Sequence, residues 1–395
     1  MEFNPLSPEF REDPYPAYAE LREHAPAFRN ESFNATIVTR YDDVAYVLKN
    51  PALFSSSAIS MNIRGKPTRT IINTDPPLHT RMRNLVNRAF TPRMVADMEP
   101  RIRQITRELL GAAVGSGEME LIGDLAAPLP VTVIAEILGV DPALRTDFKR
   151  WSNAVVNGDM AAVAGGDRAQ IDRDIQEFQS FFERAIEERR RQPKDDLISA
   201  VLRVDPDDEA PLAPDEVLAF TGLLLIAGNE TTTNLMGNAM LALFEHPDQL
   251  GAVAAEPARI PNMVEEALRY DSPVQFLFRT ATRDVDIAGT TVPAGSTVIP
   301  VYASANRDDR KFPGADRFDI ARNTQGHLAF GMGVHFCLGA PLARLEARVM
   351  FEELFARTVG FRRIDAPLAR VNSLFLRGLT SLPFAFEPAP APARA

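Results

Sequence analysis

Apolar residues recur three and four positions apart through most of the chain, the spacing that places them on one face of an α-helix. Polar residues, prolines and glycines separate these segments and indicate where helices begin and end. The pattern predicts helices over residues 15–23, 41–48, 79–89, 92–115, 130–138, 142–156, 170–190, 195–203, 214–246, 247–255, 261–270 and 342–358. The protein is therefore predicted to be mainly α-helical.

Strand patterns are few and short. β-branched and aromatic residues alternate with polar ones over residues 35–39, 278–281, 285–287, 290–292, 297–301, 360–364 and 379–386. These segments predict a small β-rich region beside the helical body. The residues after 387 are only proline, alanine and one arginine. We expect a single domain over residues 1–387 and a disordered tail over residues 388–395.

The longest apolar segment, residues 214–246, is predicted to be a helix that runs through the interior. Its middle carries Gly228, Glu230 and Thr231, where packing alone would favour alanine or leucine. The Thr231 hydroxyl is expected to donate a hydrogen bond to the carbonyl of Ala227, which would open the helix to water or a small ligand. An acid beside a threonine is also common on a solvated surface, so this segment alone leaves both interpretations open.

Composition narrows the class of protein. With 395 residues, 45% of them hydrophobic and 24% charged, the chain can bury a large core. A formal net charge of −10 argues against a nucleic-acid partner, because phosphate binding needs a basic face. The chain begins without a secretory signal, and its most apolar stretch, residues 218–228, is shorter than the roughly 20 residues of a membrane helix. We expect a cytoplasmic protein without a membrane anchor.

The chain has one cysteine, Cys337, which excludes an intrachain disulfide and fits a reducing compartment. Gly331, Gly333 and Gly339 surround it and let the backbone approach a flat partner closely. A helix is predicted to follow, and its N-terminus would lower the pKa of the thiol and favour the thiolate. Haem is the large planar cofactor that takes a single cysteinate as axial ligand. A lone cysteine can also be an ordinary small buried side chain.

Residues 330–344, FGMGVHFCLGAPLAR, resemble the haem-binding loop of the cytochrome P-450 superfamily. Residues 227–231, AGNET, resemble the oxygen-binding groove of the same superfamily. The resemblance implies the cytochrome P-450 fold, which is a triangular, mainly helical domain with a small β-rich region. It also implies haem b as cofactor, with Cys337 as the ligand of the iron.

The resemblance also assigns roles to individual residues. The haem-contacting positions would be His79, Arg83, Ala227, Gly228, Arg279, Phe330, Gly331, His335, Cys337 and Gly339. Thr231 would stabilise the bound oxygen and organise water, and Glu230 would relay protons. The haem propionates would be held by the charged members of this set, His79, Arg83, Arg279 and His335. Glu266, Arg269 and Arg317 would form a buried structural cluster.

The implied reaction is insertion of one oxygen atom from O₂ into a lipophilic small molecule, by hydroxylation or epoxidation. Electrons would come from a separate ferredoxin and an NAD(P)H-dependent ferredoxin reductase, and the chain would act as a monomer. A basic docking patch for this partner would consist of Arg81, Arg88, Arg344 and Arg348. Two alternatives remain open: a peroxide-driven peroxygenase and a haem-binding protein without turnover.

The substrate pocket is expected to have an apolar wall. By resemblance it would draw on Ile59, Met61, Leu223, Leu224, Ala227, Val274, Phe276, Leu277 and Phe375. Such a wall favours a terpenoid, steroid, fatty acid or macrolactone over a sugar or a nucleotide.

Overall fold

The computed structural model describes residues 3–57, 61–63, 66–163, 167–203 and 212–389. Its helices are α1 (Pro8–Glu12), α2 (Tyr15–His24), α3 (Tyr41–Lys49), α4 (Leu78–Ala89), α5 (Pro92–Asp97), α6 (Glu99–Ala113), α7 (Pro128–Ile137), α8 (Arg145–Val163), α9 (Arg168–Arg191), α10 (Leu197–Leu202), α11 (Pro214–Glu245), α12 (Pro247–Ala255), α13 (Ile260–Tyr270), α14 (Tyr302–Asn306) and α15 (Ala340–Arg357). The mainly helical fold class is confirmed.

The strands are β1 (Ala27–Asn30), β2 (Ala35–Val38), β3 (Phe54–Ser55), β4 (Met61–Ile63), β5 (Lys66–Thr68), β6 (Glu118–Glu120), β7 (Arg279–Ala281), β8 (Val285–Ile287), β9 (Thr290–Val292), β10 (Thr297–Pro300), β11 (Thr358–Arg363) and β12 (Pro383–Pro388). The largest sheet has the order β1-β2-β10-β7-β3. Strands β2 and β10 are parallel, with Ala35 opposite Thr297, and the other pairs in this sheet are antiparallel. The sheet therefore joins the N-terminal segment to residues 279–300 and fixes the position of Arg279 on β7.

Two helix predictions had wrong boundaries. The segment 92–115 forms two helices, because the chain turns at Met98 and Pro100 lies in the first turn of α6, where its missing N–H is harmless. Helix α8 continues to Val163, beyond the predicted end at residue 156, and a 3₁₀ turn over Pro142–Leu144 precedes it.

Helix α11 is the central element of the helical body. It packs against α7, α8, α9, α13 and α15, and Met236, Ala239 and Met240 have no exposed surface. A helix that is apolar on nearly every side is stable only when other elements surround it. Functional groups on such a helix must lie where the packing leaves a gap, and the exposed Ala227 marks that position.

The pair Glu266 and Arg269 lies on α13, and both side chains are completely buried. The Arg269 guanidinium donates two hydrogen bonds to the Glu266 carboxylate, at 2.7 and 2.8 Å. It also donates to the carbonyls of Asn306, Ala315 and Arg317 at 2.8 to 3.0 Å. Arg269 therefore ties α13 to α14 and to the segment that leads toward the cysteine loop.

The third side chain of this cluster is Arg322, so the assignment of Arg317 was wrong. The Arg322 Nε donates to Glu266 Oε1 at 3.2 Å, and the Arg322 side chain is 8% exposed. The Arg317 side chain is exposed, and only its backbone carbonyl accepts from Arg269. Both arginines follow the same turn after Pro313, and only the path of the chain decides which one points inward.

The predicted start of the tail was also too early. Pro388 lies opposite Thr358 at the end of β12, and the N–H of Ala389 donates to the carbonyl of Arg357 at 2.7 Å. Residues 390–395 lie outside the described residues. A single domain over residues 1–387 stays a prediction.

Among the helices of the described segments, none has both the length and the apolar character needed to cross a lipid bilayer.

Candidate active site

Cys337 lies in a tight loop immediately before helix α15. The N–H of Cys337 donates to the carbonyl of Phe330 at 2.9 Å, and the N–H of Gly331 donates to the carbonyl of Leu328 at 2.9 Å. A 3₁₀ turn over Gly333–His335 lies between Gly331 and Cys337. These local bonds hold the half-buried thiol at the N-terminal end of a long helix.

Glycines are required in this loop for two different reasons. Gly331 and Gly333 have φ angles of 68° and 73°, a region that other residues rarely adopt. A Cβ on Gly333 would lie 2.6 Å from the carbonyl oxygen of Leu48 in α3, so the loop packs directly on that helix. A Cβ on Gly339 would lie 3.9 Å from the Cys337 sulfur, an ordinary contact distance. The close approach at Gly333 is therefore to protein backbone.

Burial raises the pKa of the free Cys337 thiol above its ordinary value. Backbone N–H groups of Gly339 and Ala340, together with the charges of Arg83 and Arg344, act in the opposite direction but do not overcome desolvation. The helix N-terminus lowers the pKa of the free thiol as expected, but burial has the larger effect. A thiol surrounded in this way becomes a stable anion when a metal ion shares the site.

Residues predicted to hold propionates come together beside the loop, although they belong to distant segments. The ring of His79 on α4 lies 4.3 Å from the ring of His335, centre to centre. Burial, followed by the neighbouring charge of Arg279 and by His79, lowers the pKa of His335 to about 3. The His335 Nε2 lies 3.0 Å from the Ser56 hydroxyl. The pKa of Arg83 is also lowered by burial.

This group of side chains has unused hydrogen-bonding capacity. His79 is 2% exposed, and neither of its ring nitrogens has a hydrogen-bond partner among the described residues. A buried polar group without a partner is costly, so its persistence points to an acceptor that completes the site. Two arginines and two histidines around one space suit the two carboxylates of haem b. The residues present therefore fit this cofactor.

The predicted hydrogen bond on α11 is present, in a helix that is continuous over Pro214–Glu245. The Thr231 Oγ1 donates to the carbonyl of Ala227 at 2.6 Å, and Thr231 and Glu230 are half-buried while Ala227 is exposed. On the opposite side of the same turn, the buried Asn229 donates to the Ser152 hydroxyl at 2.7 Å. One face of this turn is thus anchored by packing, and the face carrying Ala227 and Thr231 is open.

A family model for cytochrome P450 matches residues 147–357. The chain belongs to the cytochrome P450 family. It is 40% identical to cytochrome P450 monooxygenase PikC from Streptomyces venezuelae, over 97% of this chain and 93% of that protein. The structure of cytochrome P450 CYP109Q5 from Chondromyces apiculatus matches with a TM-score of 0.91 and 45% identity, covering 98% of each chain.

A third relative is CYP109E1 from Bacillus megaterium, whose structure was solved in complex with testosterone. It matches with a TM-score of 0.86 and 38% identity, covering 94% of this chain and 99% of that chain. The fold predicted from the resemblance is thereby confirmed. This cytochrome P450 is an oxidoreductase of the monooxygenase type, and its cofactor is haem b.

The expected substrate wall is only partly supported by the positions of its residues in the P450 fold. Leu224, Val274 and Leu277 are half-buried apolar residues, Ala227 is exposed, and Leu223 is buried. Ile59 lies outside the described residues, and Met61 is described only as part of strand β4.

Phe276 does not belong to this wall. It is 1% exposed, and its ring packs 5.5 Å from that of Phe3 and 5.8 Å from that of Phe278, centre to centre. Phe375 is half-buried and packs against the apolar cluster that contains Phe3, Phe10 and Phe276. Phe276 belongs to this cluster, whereas Val274 and Leu277 pack against a different apolar cluster. Apolar character alone does not reveal this difference.

The expected basic docking patch is largely neutralised by ion pairs. Arg81 lies 3.1 Å from Glu216, and Arg348 bonds to Glu99 at 2.6 Å and to Glu352 at 2.9 Å. Arg88 is exposed. Paired arginines contribute little net field to attract an acidic partner, so a basic patch is not supported.

Arg344 has a role that the sequence interpretation missed. Its guanidinium lies 4.5 Å from the centre of the Phe330 ring and bonds to the Glu265 carboxylate at 2.5 and 2.9 Å. The Glu265 carboxylate also pairs with His327 at 3.0 Å. Hydrogen bonds from His327 and Arg344 outweigh burial and lower the pKa of Glu265 to about 2. This pair fastens the start of α15, and so the cysteine loop, to α13.

Glu346 on α15 is a second missed residue. It is 2% exposed, its Oε2 has no partner among the described residues, and burial raises its pKa to about 8. The folded protein keeps this proton, whereas the unfolded chain releases it above about pH 4.5. Stability is therefore expected to fall as the pH rises from about 4.5 to about 8.

The substitution Glu346→Gln is expected to remove this pH dependence and to raise the free energy of unfolding at pH 8 by about 2 kcal/mol or more. Denaturant unfolding of both proteins at pH 5 and pH 8 measures the effect. Glu31→Gln is the control, because the Glu31 side chain is 87% exposed. An equal pH dependence in wild type and Glu346→Gln would show that Glu346 is not the titrating group.

Proposed function

We propose that this cytochrome P450 inserts one oxygen atom from O₂ into a lipophilic small molecule, by hydroxylation or epoxidation. The observation that carries the proposal is the hydrogen bond of 2.6 Å from Thr231 to the Ala227 carbonyl in a helix whose other faces are packed. A structural haem site has no need for a polar opening in its central helix. An enzyme that delivers protons to a bound oxygen needs one.

Haem b, bound through Cys337, supplies the oxygen-activating redox chemistry. In the proposal His79, Arg83, Arg279 and His335 bind and orient its propionates. The remaining contacts with the haem would come from Ala227, Gly228, Phe330, Gly331 and Gly339.

Thr231 positions water beside the reacting oxygen. Its hydroxyl proton is engaged with the Ala227 carbonyl, so its oxygen is available to accept a hydrogen bond from water. Glu230 is half-buried on the adjacent position of the helix and is proposed to hold or release a proton for that water. These two residues thus provide an ordered route for protons through a helix that otherwise excludes solvent.

The proposed substrate is lipophilic because the residues expected to form the pocket wall include the half-buried apolar side chains of Leu224, Val274 and Leu277. The relative CYP109E1 was solved with testosterone, which supports a polycyclic terpenoid or steroid as the first class to test. Electrons are proposed to come from a separate ferredoxin and an NAD(P)H-dependent ferredoxin reductase. We propose a cytoplasmic, monomeric enzyme.

The experiment that tests the proposal is the difference spectrum of the reduced, carbon monoxide-bound protein. The haem-supplied wild type is expected to show a red-shifted thiolate-type band, and Cys337→Ala is expected to lose it. A panel of steroids, terpenoids, fatty acids and macrolactones is then titrated against the ferric Soret band. Folded, haem-containing wild type without the red-shifted band would refute Cys337 as ligand and the monooxygenase proposal with it.

Thr231→Ala is expected to reduce product formed per NADPH consumed by about tenfold or more, while NADPH consumption continues. The hydroxyl that orders water is lost, so the oxygen is released in reduced form without reaching the substrate. Product and NADPH are measured together with a ferredoxin and its reductase.

The control for this variant is Thr221→Ala. Thr221 lies on the same helix and donates the same type of hydrogen bond, to the carbonyl of Val217 at 2.9 Å, but it is 1% exposed. Its replacement is expected to leave coupling unchanged. Unchanged coupled turnover in Thr231→Ala would contradict the role given to Thr231, and product formation with peroxide alone would favour a peroxygenase.

A further inference from the structure

A small cavity lies near Phe276. It is bounded by residues 5–18, here called the N-terminal arm, and by residues 370–377, which precede β12. It is lined by Pro5, Phe10, Arg11, Pro14, Tyr18, Gln275, Phe276, Arg370, Val371, Ser373, Leu374, Leu376 and Arg377. The lining contains three arginines and no acidic residue. A cavity with this lining has an excess of positive charge.

One of the arginines, Arg377, donates a hydrogen bond from each of its three nitrogens. Its Nε donates to Asp271 Oδ1 at 2.7 Å, and its two terminal nitrogens donate to the carbonyls of Arg11 and Glu12 at 2.6 and 2.9 Å. Asp271 Oδ1 also accepts from the Tyr15 hydroxyl at 2.6 Å. The Asp271 carboxylate beside the cavity therefore bonds to Arg377 and Tyr15 through Oδ1.

Arg370, in contrast, lacks acceptors. Its Nε and Nη1 are buried and have no hydrogen-bond partner among the described residues. The oxygen Asp271 Oδ2 is 3.8 Å from Nη1, which is beyond hydrogen-bond distance. Burial, followed by the charge of Arg377, lowers the pKa of Arg370. Its side chain is 12% exposed, so water can satisfy only a small part of it.

Arg11 adds a further unpartnered donor to the same cavity. Its Nε is buried without a partner in the described chain, although its Nη1 donates to the side chain of Asn372. Buried donors of Arg11 and Arg370 that have no partner among the described residues thus line the same cavity. Buried N–H groups of cations are rarely left without acceptors in folded proteins.

We propose that this cavity is a binding site for a small monovalent anion, either chloride or the carboxylate of a small organic acid. Its volume of about 30 Å³ limits the choice. A single water needs about 10–15 Å³ by this kind of measure, so the space suits a small ion. The anion would accept hydrogen bonds from Arg370 and Arg11.

The site would connect three parts of the chain. Arg11 belongs to the N-terminal arm and Arg370 to the C-terminal segment, while the N–H of Gln275 bonds to the carbonyl of Phe375 at 2.8 Å. Val274 and Leu376 form a bridge beside this bond. An anion in the cavity would therefore fasten the N-terminal arm to the segment that carries Val274. This inference does not depend on the reaction that the enzyme catalyses.

The first test is a crystal structure of the haem-loaded, full-length protein grown with sodium bromide. An anomalous peak within hydrogen-bond distance of Arg370 Nε and Arg11 Nε is expected. A second crystal form grown in halide-free sodium acetate distinguishes the two sources, because a carboxylate has a planar density and no anomalous peak. Water alone at this position in both crystals would overturn the proposal.

The second test is the melting temperature as a function of bromide, chloride and acetate, at an ionic strength held constant with sodium sulfate, because sulfate is divalent and the proposed anion is monovalent. A saturable increase is expected in the wild type, because a ligand that binds only the folded state stabilises it. In Arg370→Gln and in Arg11→Gln, the anion concentration that gives half of the increase in melting temperature is expected to rise about tenfold or more.

Arg310→Gln is the control for these two variants. Arg310 is 50% exposed and pairs with Glu23 at 2.8 Å, away from the cavity, so its anion dependence should equal that of the wild type. If Arg370→Gln does not fold, the test uses Arg11→Gln alone. An anion dependence that both variants retain unchanged would overturn the proposal, as would a bromide peak in the crystal without any saturable effect in solution.

Discussion

Replacing Arg269 with alanine is expected to lower the free energy of unfolding by about 4 kcal/mol. The variant loses two hydrogen bonds to the buried Glu266 and leaves the carbonyls of Asn306, Ala315 and Arg317 without this donor. A domain is stable by only about 5–15 kcal/mol, so the variant is expected to accumulate little folded protein and to retain little haem. Guanidinium unfolding and the ratio of Soret to protein absorbance measure these two effects.

The chain contains a matched control for this variant. Glu256 and Arg259 have the same spacing as Glu266 and Arg269 and also bond at 2.6 Å, but their side chains are 57% and 42% exposed. Arg259→Ala is expected to change the free energy of unfolding by about 0.5 kcal/mol or less. Similar effects of the two substitutions would contradict the structural role given to Arg269.

The conservative substitution Arg269→Lys separates charge from geometry. Lysine keeps the positive charge but cannot donate to Glu266 and to three carbonyls at once, because it lacks the planar guanidinium. We expect this variant to recover only a minor part of the stability lost in Arg269→Ala. Full recovery would mean that charge alone, rather than the network of hydrogen bonds, holds α13 in place.

Replacing Gly333 with alanine is expected to lower the free energy of unfolding by about 3 kcal/mol and to weaken haem retention. Its φ of 73° disfavours a side chain, and the added Cβ would lie 2.6 Å from the Leu48 carbonyl. The loop must then move away from α3, and Cys337 moves with it. Thermal unfolding followed at the Soret band reports both changes.

Two other glycines separate the causes of this effect. Gly289 has a φ of 80° and no heavy atom near its Cβ position. Gly289→Ala therefore measures only the cost in unfolding free energy of a side chain at positive φ, about 1 kcal/mol. Gly251 lies inside α12 with open space around it, and Gly251→Ala is expected to be neutral or stabilising. A loss in Gly333→Ala no larger than that in Gly289→Ala would show that contact with Leu48 is unimportant.

The helical body could be predicted closely from the sequence, because a periodic apolar face is a local property of each segment. The limits of α11, α12 and α13 agree with the predicted limits to within a residue. The strand pairing could not be predicted in the same way. Parallel pairing of β2 with β10 joins residues more than 250 positions apart, and short strands contain little information about their partners.

The same distinction applies to the active site. The cysteine loop and the Thr231 to Ala227 hydrogen bond are local features, and the sequence was sufficient to predict them. The net direction of the Cys337 pKa depended on burial, which comes from the packing of distant segments. The same is true of Phe276, whose apolar character suits both a substrate wall and a core.

By itself, the sequence determined the mainly helical class, the position of the thiol, the glycines that shape its loop and the opening in the central helix. These depend on backbone preferences and on spacings of four residues or fewer. Tertiary structure alone decided that Arg322 rather than Arg317 completes the Glu266 cluster and that acidic residues pair with most of the expected basic patch. It also decided that buried donors of Arg370 and Arg11 have no partner among the described residues. Each of these features depends on which side chains distant parts of the chain bring within hydrogen-bond distance of one another. Burial then determines how strong the resulting interactions are.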